Sequence, residues 1–391
     1  MISGDGDERD LLLWEPLRFR PPPLDLPRWP VWSLPMGFLR LLLAASVVLN
    51  HSSAPFGFTL VDGRTAVECF FVISGFYMGL VLQTKYVGLS AGRRWRVFMA
   101  SRLMRLYPVY VVVLVASLAL AVVIHLRGNV SPLFDYRMGP FTAVLVVGSN
   151  LTMLAQDIVT FSSVDQHGML YVSGLATNSR MPAHFLLLVP QAWSLSLELL
   201  FYAMAPWLTR RSTRLLVLVM ALSVLARVAV IGTGHEVDPW TYRVFPLELS
   251  LFLIGVLAFR ASRSRTFTST QQRAAFLVAV LGVLSFPLFG ANELVKLAFP
   301  YCFALLIPAI FVLTKNRTRD RWIGELSYPT YMVHVLVFDA LTTAHTPRSG
   351  AVVLVGSLVM AIGLAVLVDA PVERVRQQRL RLTLPLSPKP V

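Results

Sequence analysis

The sequence predicts an all-α, polytopic integral membrane protein: a ten-transmembrane-helix bundle with both termini in the cytosol. Three observations carry that expectation. Apolar residues make up 55% of the chain and charged ones only 14%, where a soluble domain carries about a quarter charged residues. The apolar residues gather into repeated runs of membrane-spanning length, and helices satisfy their own backbone within lipid. Finally, Lys and Arg alternate between crowded and sparse connecting segments, the mark of a chain that crosses a bilayer repeatedly.

In chain order, residues 1–35 begin acidic, with Asp5, Asp7, Glu8 and Asp10, and continue through seven prolines from Pro16 to Pro35. That composition predicts an extended, poorly ordered cytosolic tail with no signal peptide. Ten spans follow: Met36–Ala54, Ala66–Thr84, Tyr107–Leu126, His184–Leu208, Arg214–Ile231, Val244–Phe259, Ala274–Gly290, Leu297–Thr314, Ile323–Thr342 and Ala351–Asp369. This arrangement puts 26 of the 35 Lys and Arg inside and only 7 outside, with Arg40 and Arg227 within spans. The net charge of +14 is therefore a topology signal, and nucleic acid is not an expected partner. Counting Phe141–Ala155 as a further crossing would put Arg210, Arg211 and Arg214 outside and invert every later loop. It reads instead as a short re-entrant or surface helix between spans three and four, within the long outer segment Arg127–Ala183. A single membrane domain at 36–372 and a basic cytosolic tail at 373–391 complete the organisation.

Sequence motifs exclude several chemistries. There is no Gly-rich phosphate loop, no Cys/His metal constellation and no Ser nucleophile elbow. Cys69 and Cys302 both lie in apolar segments and read as small core residues. No polar stretch is long enough for a soluble catalytic domain, so any chemistry must use the bundle itself.

The intramembrane polar residues are the natural candidates, because such groups are expensive to place. Arg40 and His51 share the first span with ten residues between them. Eleven steps of ~100° make about three turns, so both leave one helix face, roughly 16 Å apart along the axis. Glu68 stands near the outer end of span two, with sixteen residues between it and His51 across a tight hairpin. A carboxylate beside an imidazole fixes its tautomer and raises its basicity, which suits a general base; a purely structural His–Glu hydrogen bond is the alternative. Glu198 in span four and His334 in span nine read equally as site residues or as packing. Arg102 and Arg105, three apart on one helical face, suit a phosphorylated ligand from the cytosol or ordinary positive-inside anchoring.

These pieces occur in a recognisable order. From Leu34 to Arg374 the chain resembles the membrane acyltransferase family three, which moves acyl groups onto hydroxyls of surface polysaccharides, lipid-linked sugars and related acceptors. The resemblance rests on Gly37-Phe-Leu-Arg40 with His51 following, Val67-Glu-Cys-Phe-Phe-Val-Ile-Ser-Gly-Phe76 and Arg102-Leu-Met-Arg105-Leu-Tyr-Pro108. It continues in Ala192-Trp-Ser-Leu-Ser-Leu-Glu-Leu-Leu-Phe-Tyr202, Leu326-Ser-Tyr-Pro-Thr-Tyr-Met-Val-His334 and a degraded Val368-Asp-Ala-Pro-Val-Glu373. It implies that His51 is catalytic, with Glu68 and Arg40 assisting. Arg102 and Arg105 would bind the donor, and Ser74, Gly75, Trp193, Ser194, Glu198 and His334 would line the site. Asp62-Gly63-Arg64 stands where many members carry Gly-Gly-Phe, and Glu68 where Asp is common.

The resemblance further implies acyl-CoA, acetyl-CoA by default, as donor substrate, with no bound cofactor and no metal. The acceptor would be a carbohydrate or lipid-linked sugar at a bacterial-type inner membrane. General-base attack and an acyl-His intermediate both fit these residues. The rival from another class is a transporter or flippase exporting an acylated lipid or sugar. Such a protein should show related halves, and spans one to five do not repeat in six to ten.

Overall fold

A computed structural model describes residues 36–52, 59–172, 181–234, 240–289 and 292–384. The expected Pro-rich tail at 1–35 and residues 385–391 of the basic tail lie outside the described residues. The helices are α1 (Gly37–Asn50), α2 (Gly63–Thr84), α3 (Ala91–Leu126), α4 (Pro132–Asp135), α5 (Pro140–Thr152), α6 (Gln156–Thr160), α7 (Trp193–Leu208) and α8 (Thr213–Gly232). They continue with α9 (Phe245–Ser262), α10 (Ser269–Ser285), α11 (Glu293–Thr314), α12 (Thr318–Glu325), α13 (Ser327–Thr343), α14 (Gly350–Leu364) and α15 (Ala370–Thr383). One antiparallel hairpin, β1 (Ser162–Val164) with β2 (Leu170–Val172), pairs Ser163 with Tyr171 between α6 and α7.

Each of the ten expected spans overlaps a helix, the ninth straddling the junction of α12 and α13. Among the described residues seven helices are long and apolar enough to cross a membrane: α2, α3, α8, α9, α10 with its extension to Leu288, α11, and α14 running on into α15. The other three, α1, α7 and α13, have 14, 16 and 17 residues. At ~1.5 Å per residue they reach only about 21–26 Å, short of a ~30 Å hydrocarbon core. These short helices carry most of the polar residues singled out above. The fourth span also starts later than expected. Pro182 and Pro190 interrupt the helical hydrogen-bond ladder, so 183–192 forms two 3-10 turns and the α-helix begins at Trp193.

The long helix α3 joins two regions that looked separate in sequence. Its 36 residues extend about 54 Å and place Arg102 and Arg105 on the same continuous rod as the third span. Along the stretch Phe141–Ala155 the chain forms the 13-residue α5. Asn150 ties it down by donating to the Leu186 carbonyl and accepting from Leu188 N–H.

The centre of the bundle is α2, whose most apolar 18-residue window is 89% buried against 17% for α8. It crosses α9 at backbone contact distance. A Cβ on Gly75 would fall inside the van der Waals shell of the Phe252 carbonyl, and one on Gly255 inside that of the Val72 carbonyl. Small residues at a crossing are how membrane helices gain packing when lipid offers no hydrophobic drive. Gly37 does similar work at the start of α1, where a Cβ would strike the Asp320 carbonyl. Asp320 in turn caps α1, accepting from Gly37 N–H at 2.8 Å and Phe38 N–H at 3.0 Å. A carboxylate at a helix N-terminus satisfies orphan donors and complements the dipole.

Candidate active site

Two chambers are stacked along α1, one at its Arg40 end and one at its His51 end. The Arg40 chamber holds about 810 Å³ of open volume, lined by α1, α2, α3, α7 and α13. The His51 chamber holds about 1440 Å³, lined by residues of α1, α2, α7 and α13 and of the outer segments. Val67 and Tyr331 line both, so they form the partition. The expected common face of Arg40 and His51 is thus a column divided in two.

In the Arg40 chamber three guanidiniums converge. Arg40 is buried against Gly324, its Nη1 without a hydrogen-bond partner. Arg102 is buried under the rings of Phe98 and Tyr202, at 5.4 and 5.8 Å from their centroids, with Nε unpartnered. Arg105 pairs with Glu325 at 3.1 Å. Arg102 and Arg105 both line this chamber. Glu198 accepts from Ser74 Oγ at 2.6 Å and from the Tyr202 hydroxyl, and all three line the chamber. Just outside the membrane span, Lys85 follows α2; burial, then Arg102 and Arg376, push its ammonium down to about 8.

Ser194 sits at the partition. Its hydroxyl lies 2.8 Å from that of Tyr331, and both address the Gln191 carbonyl. Pro190 and the short 3-10 turn after it place Gln191 there, and the Gln191 amide donates to the Met332 carbonyl. The join between α7 and α13 is therefore hydrogen-bonded across the column.

The His51 chamber differs from expectation at one point. His51, the C-cap of α1, opens into the chamber as expected. Glu68 does not meet it. The Glu68 carboxylate is held by Arg227 of α8 and, at 3.1 Å, by Arg64, while Arg227 also reaches Glu248 of α9 at 3.4 Å. Arg227, Glu68 and Glu248 are all buried, and buried carboxylates demand cations. Two arginines outcompete a neutral imidazole for that role. The effect on the chamber is indirect: Glu68 steers Arg64 into its wall, where the guanidinium also lies 5.2 Å over the Tyr242 ring. Across from it Arg243 stacks 4.5 Å over Trp193, which lines this chamber as a site residue should.

His51 finds a second imidazole instead. The His334 ring of α13 is fully buried with its centroid 5.2 Å from that of His51. Gly75 lines neither chamber; its place in the motif answers to the α9 crossing. Cys69 is buried as expected, whereas Cys302 is exposed on the outside of the bundle.

Sequence reasoning missed Arg227, Arg64, Glu325, Tyr202 and Tyr331 as members of this constellation. Arg227 carried a signal, being a lone Arg within a span, where a buried partner is obligatory. Tyr202 and Tyr331 lay inside the family motifs without a role, and Glu325 stands one residue before one of them.

A family model described as an acyltransferase domain matches residues 36–370. A relative from Rhizobium radiobacter described as protein 2 in the picA locus is 30% identical over 188 residues, 47% of this chain and 87% of that protein. No solved structure matches. The matched stretch runs from the start of α1 to the first residue of α15 and contains both chambers. This multi-pass membrane protein belongs to acyltransferase family 3.

Proposed function

We propose that the protein transfers an acyl group, acetyl in the first instance, from cytosolic acyl-coenzyme A to a hydroxyl of an extracytoplasmic or lipid-linked carbohydrate. The chain would cross a bacterial-type inner membrane ten times with both termini in the cytosol. The observation that carries this reading is the divided column. One chamber offers buried guanidinium N–H groups to an anionic donor, and the other offers a histidine.

In this reading the nucleotide phosphates of the donor lie toward Arg102 and Lys85, and guanidiniums suit phosphate geometry. The acyl thioester reaches past Ser194 and Tyr331 toward His51. The acceptor enters the larger chamber, whose wall carries the guanidiniums of Arg64 and Arg243. His51 takes the hydroxyl proton as the oxygen bonds to the thioester carbonyl carbon. The C–S bond then breaks, and the departing thiolate takes that proton from His51.

The test uses membranes containing the full chain and radiolabelled acetyl-coenzyme A. Label should enter the glycan or lipid fraction. His51→Ala should lower the rate by ~10²–10⁴ with membrane insertion unchanged. Near-normal incorporation in that variant would sink the assignment, and transport of an acylated product without incorporation would favour a carrier.

A further inference from the structure

We propose that His334 is the positioning residue that fixes the tautomer of His51, in the place where a carboxylate was expected. This rests on the reading that His51 acts on the acceptor hydroxyl. The His334 ring is hydrogen-bonded to its own helix. Nδ1 lies 2.6 Å from the Tyr331 carbonyl oxygen, and a carbonyl only accepts. Nδ1 therefore carries the proton. In the neutral ring Nε2 is then a bare acceptor. That nitrogen is buried and has no hydrogen-bond partner, a standing cost that buried polar groups rarely bear.

The group facing it is His51. The ring centroids are 5.2 Å apart and the planes are tilted by 40°. A ring nitrogen stands roughly 1 Å from its centroid, so nitrogens turned toward each other would come within about 3 Å, hydrogen-bond distance. His51 is exposed to its chamber and is free to turn that far, whereas His334 is clamped by Tyr331 and full burial. A neutral His51 has one N–H. Donated to His334 Nε2, it leaves the other nitrogen of His51 bare in the chamber, where a base must be.

The chain of protons then balances without a carboxylate. The acceptor proton moves to the bare nitrogen of His51 and leaves again on the coenzyme thiol. Throughout, the other N–H of His51 stays bonded to His334, and the His334 N–H to the Tyr331 carbonyl. A neutral acceptor orients the ring while Glu68 remains committed to Arg64 and Arg227.

Two variants separate this from simple packing. His334→Asn keeps a donor for the Tyr331 carbonyl and removes the acceptor toward His51. His334→Gln places an amide oxygen where Nε2 stood. Two readouts apply to the full chain in membranes: label incorporation from radiolabelled acetyl-coenzyme A, and modification of His51 by diethyl pyrocarbonate, followed by peptide mass spectrometry. His334→Asn should lower both about tenfold, with the half-saturating acetyl-coenzyme A concentration unchanged, and His334→Gln should stay within about threefold of the native protein. Equal His51 modification in all three proteins, or equal losses in both variants, overturns the pairing. If the native protein incorporates no label yet His51 reactivity still depends on the acceptor at 334, the acyl-transfer reading fails and the pairing stands.

Discussion

The two chambers differ in whether their buried guanidiniums have carboxylate partners. In the Arg40 chamber the guanidiniums are incompletely satisfied: Arg40 Nη1 and Arg102 Nε have no hydrogen-bond partner, and Arg102 rests on aromatic faces. Around the His51 chamber the guanidiniums have carboxylate partners, with Arg64 and Arg227 sharing Glu68 and reaching on to Glu293 and Glu248, although Arg227 Nε and Nη1, Glu68 Oε2 and both Glu248 oxygens make no hydrogen bond. Unsatisfied buried donors are costly, and an incoming anion relieves that cost. A cross-braced wall does a different task, which is to hold a shape. The Arg40 end is thus built to receive charge and the His51 end to present a surface.

The brace should fail most severely. Arg227→Ala leaves Glu248 buried without its cation and Glu68 with Arg64 alone, and breaking such a pair from one side costs about 3–5 kcal/mol. A large drop in thermal unfolding temperature in detergent should follow, together with loss of most folded protein. Near-native stability would mean that the wall does not depend on this ion network.

Next in size is the α2–α9 crossing. Gly75→Ala drives a methyl into the Phe252 carbonyl, and overpacking of this kind costs about 1–3 kcal/mol. The unfolding temperature should fall while the half-saturating acyl-coenzyme A concentration of the surviving protein stays within twofold. A kinetic defect without a stability defect would return Gly75 to the site lining where its motif first placed it.

That outcome bears on what the sequence could disclose. Helical periodicity alone put Arg40 and His51 on one stripe, because eleven residues close about three turns in any α-helix. The shared face of Arg102 and Arg105 was legible from their i,i+3 spacing, though neither the burial of Arg102 nor the continuous 36-residue α3 was. Long-range pairing was illegible. Glu68 lies close to His51 in the chain, yet its ion partner Arg227 is 159 residues away. Nothing in local pattern distinguishes a carboxylate waiting for an imidazole from one already claimed by an arginine on another helix. The His51–His334 proximity is hidden for the same reason, since it depends on how α13 packs on α1.

A smaller effect separates the chambers directly. Arg102→Ala should raise the half-saturating acyl-coenzyme A concentration about tenfold, equivalent to ~1.4 kcal/mol. Arg64→Ala should leave that concentration within twofold and lower the rate of label incorporation instead. Should both variants act alike on donor saturation, the division of labour between the two ends is lost.

The smallest effect is a pH dependence at the donor end. Burial and the neighbouring Arg102 and Arg376 bring Lys85 down to about 8, against about 10.4 for an ordinary lysine. Below pH 8 the ammonium is charged and attracts a phosphorylated donor; above it the attraction is lost. The half-saturating acyl-coenzyme A concentration should therefore rise a few-fold between pH 7 and 9. Lys85→Gln has no such proton to lose and should show a flat profile over the same range, set at the weaker value. Because a partly exposed charge is screened by salt, raising the ionic strength should flatten the native profile as well. A slope that survives both the substitution and the salt would belong to another group, and the charge gradient would then begin at Arg102.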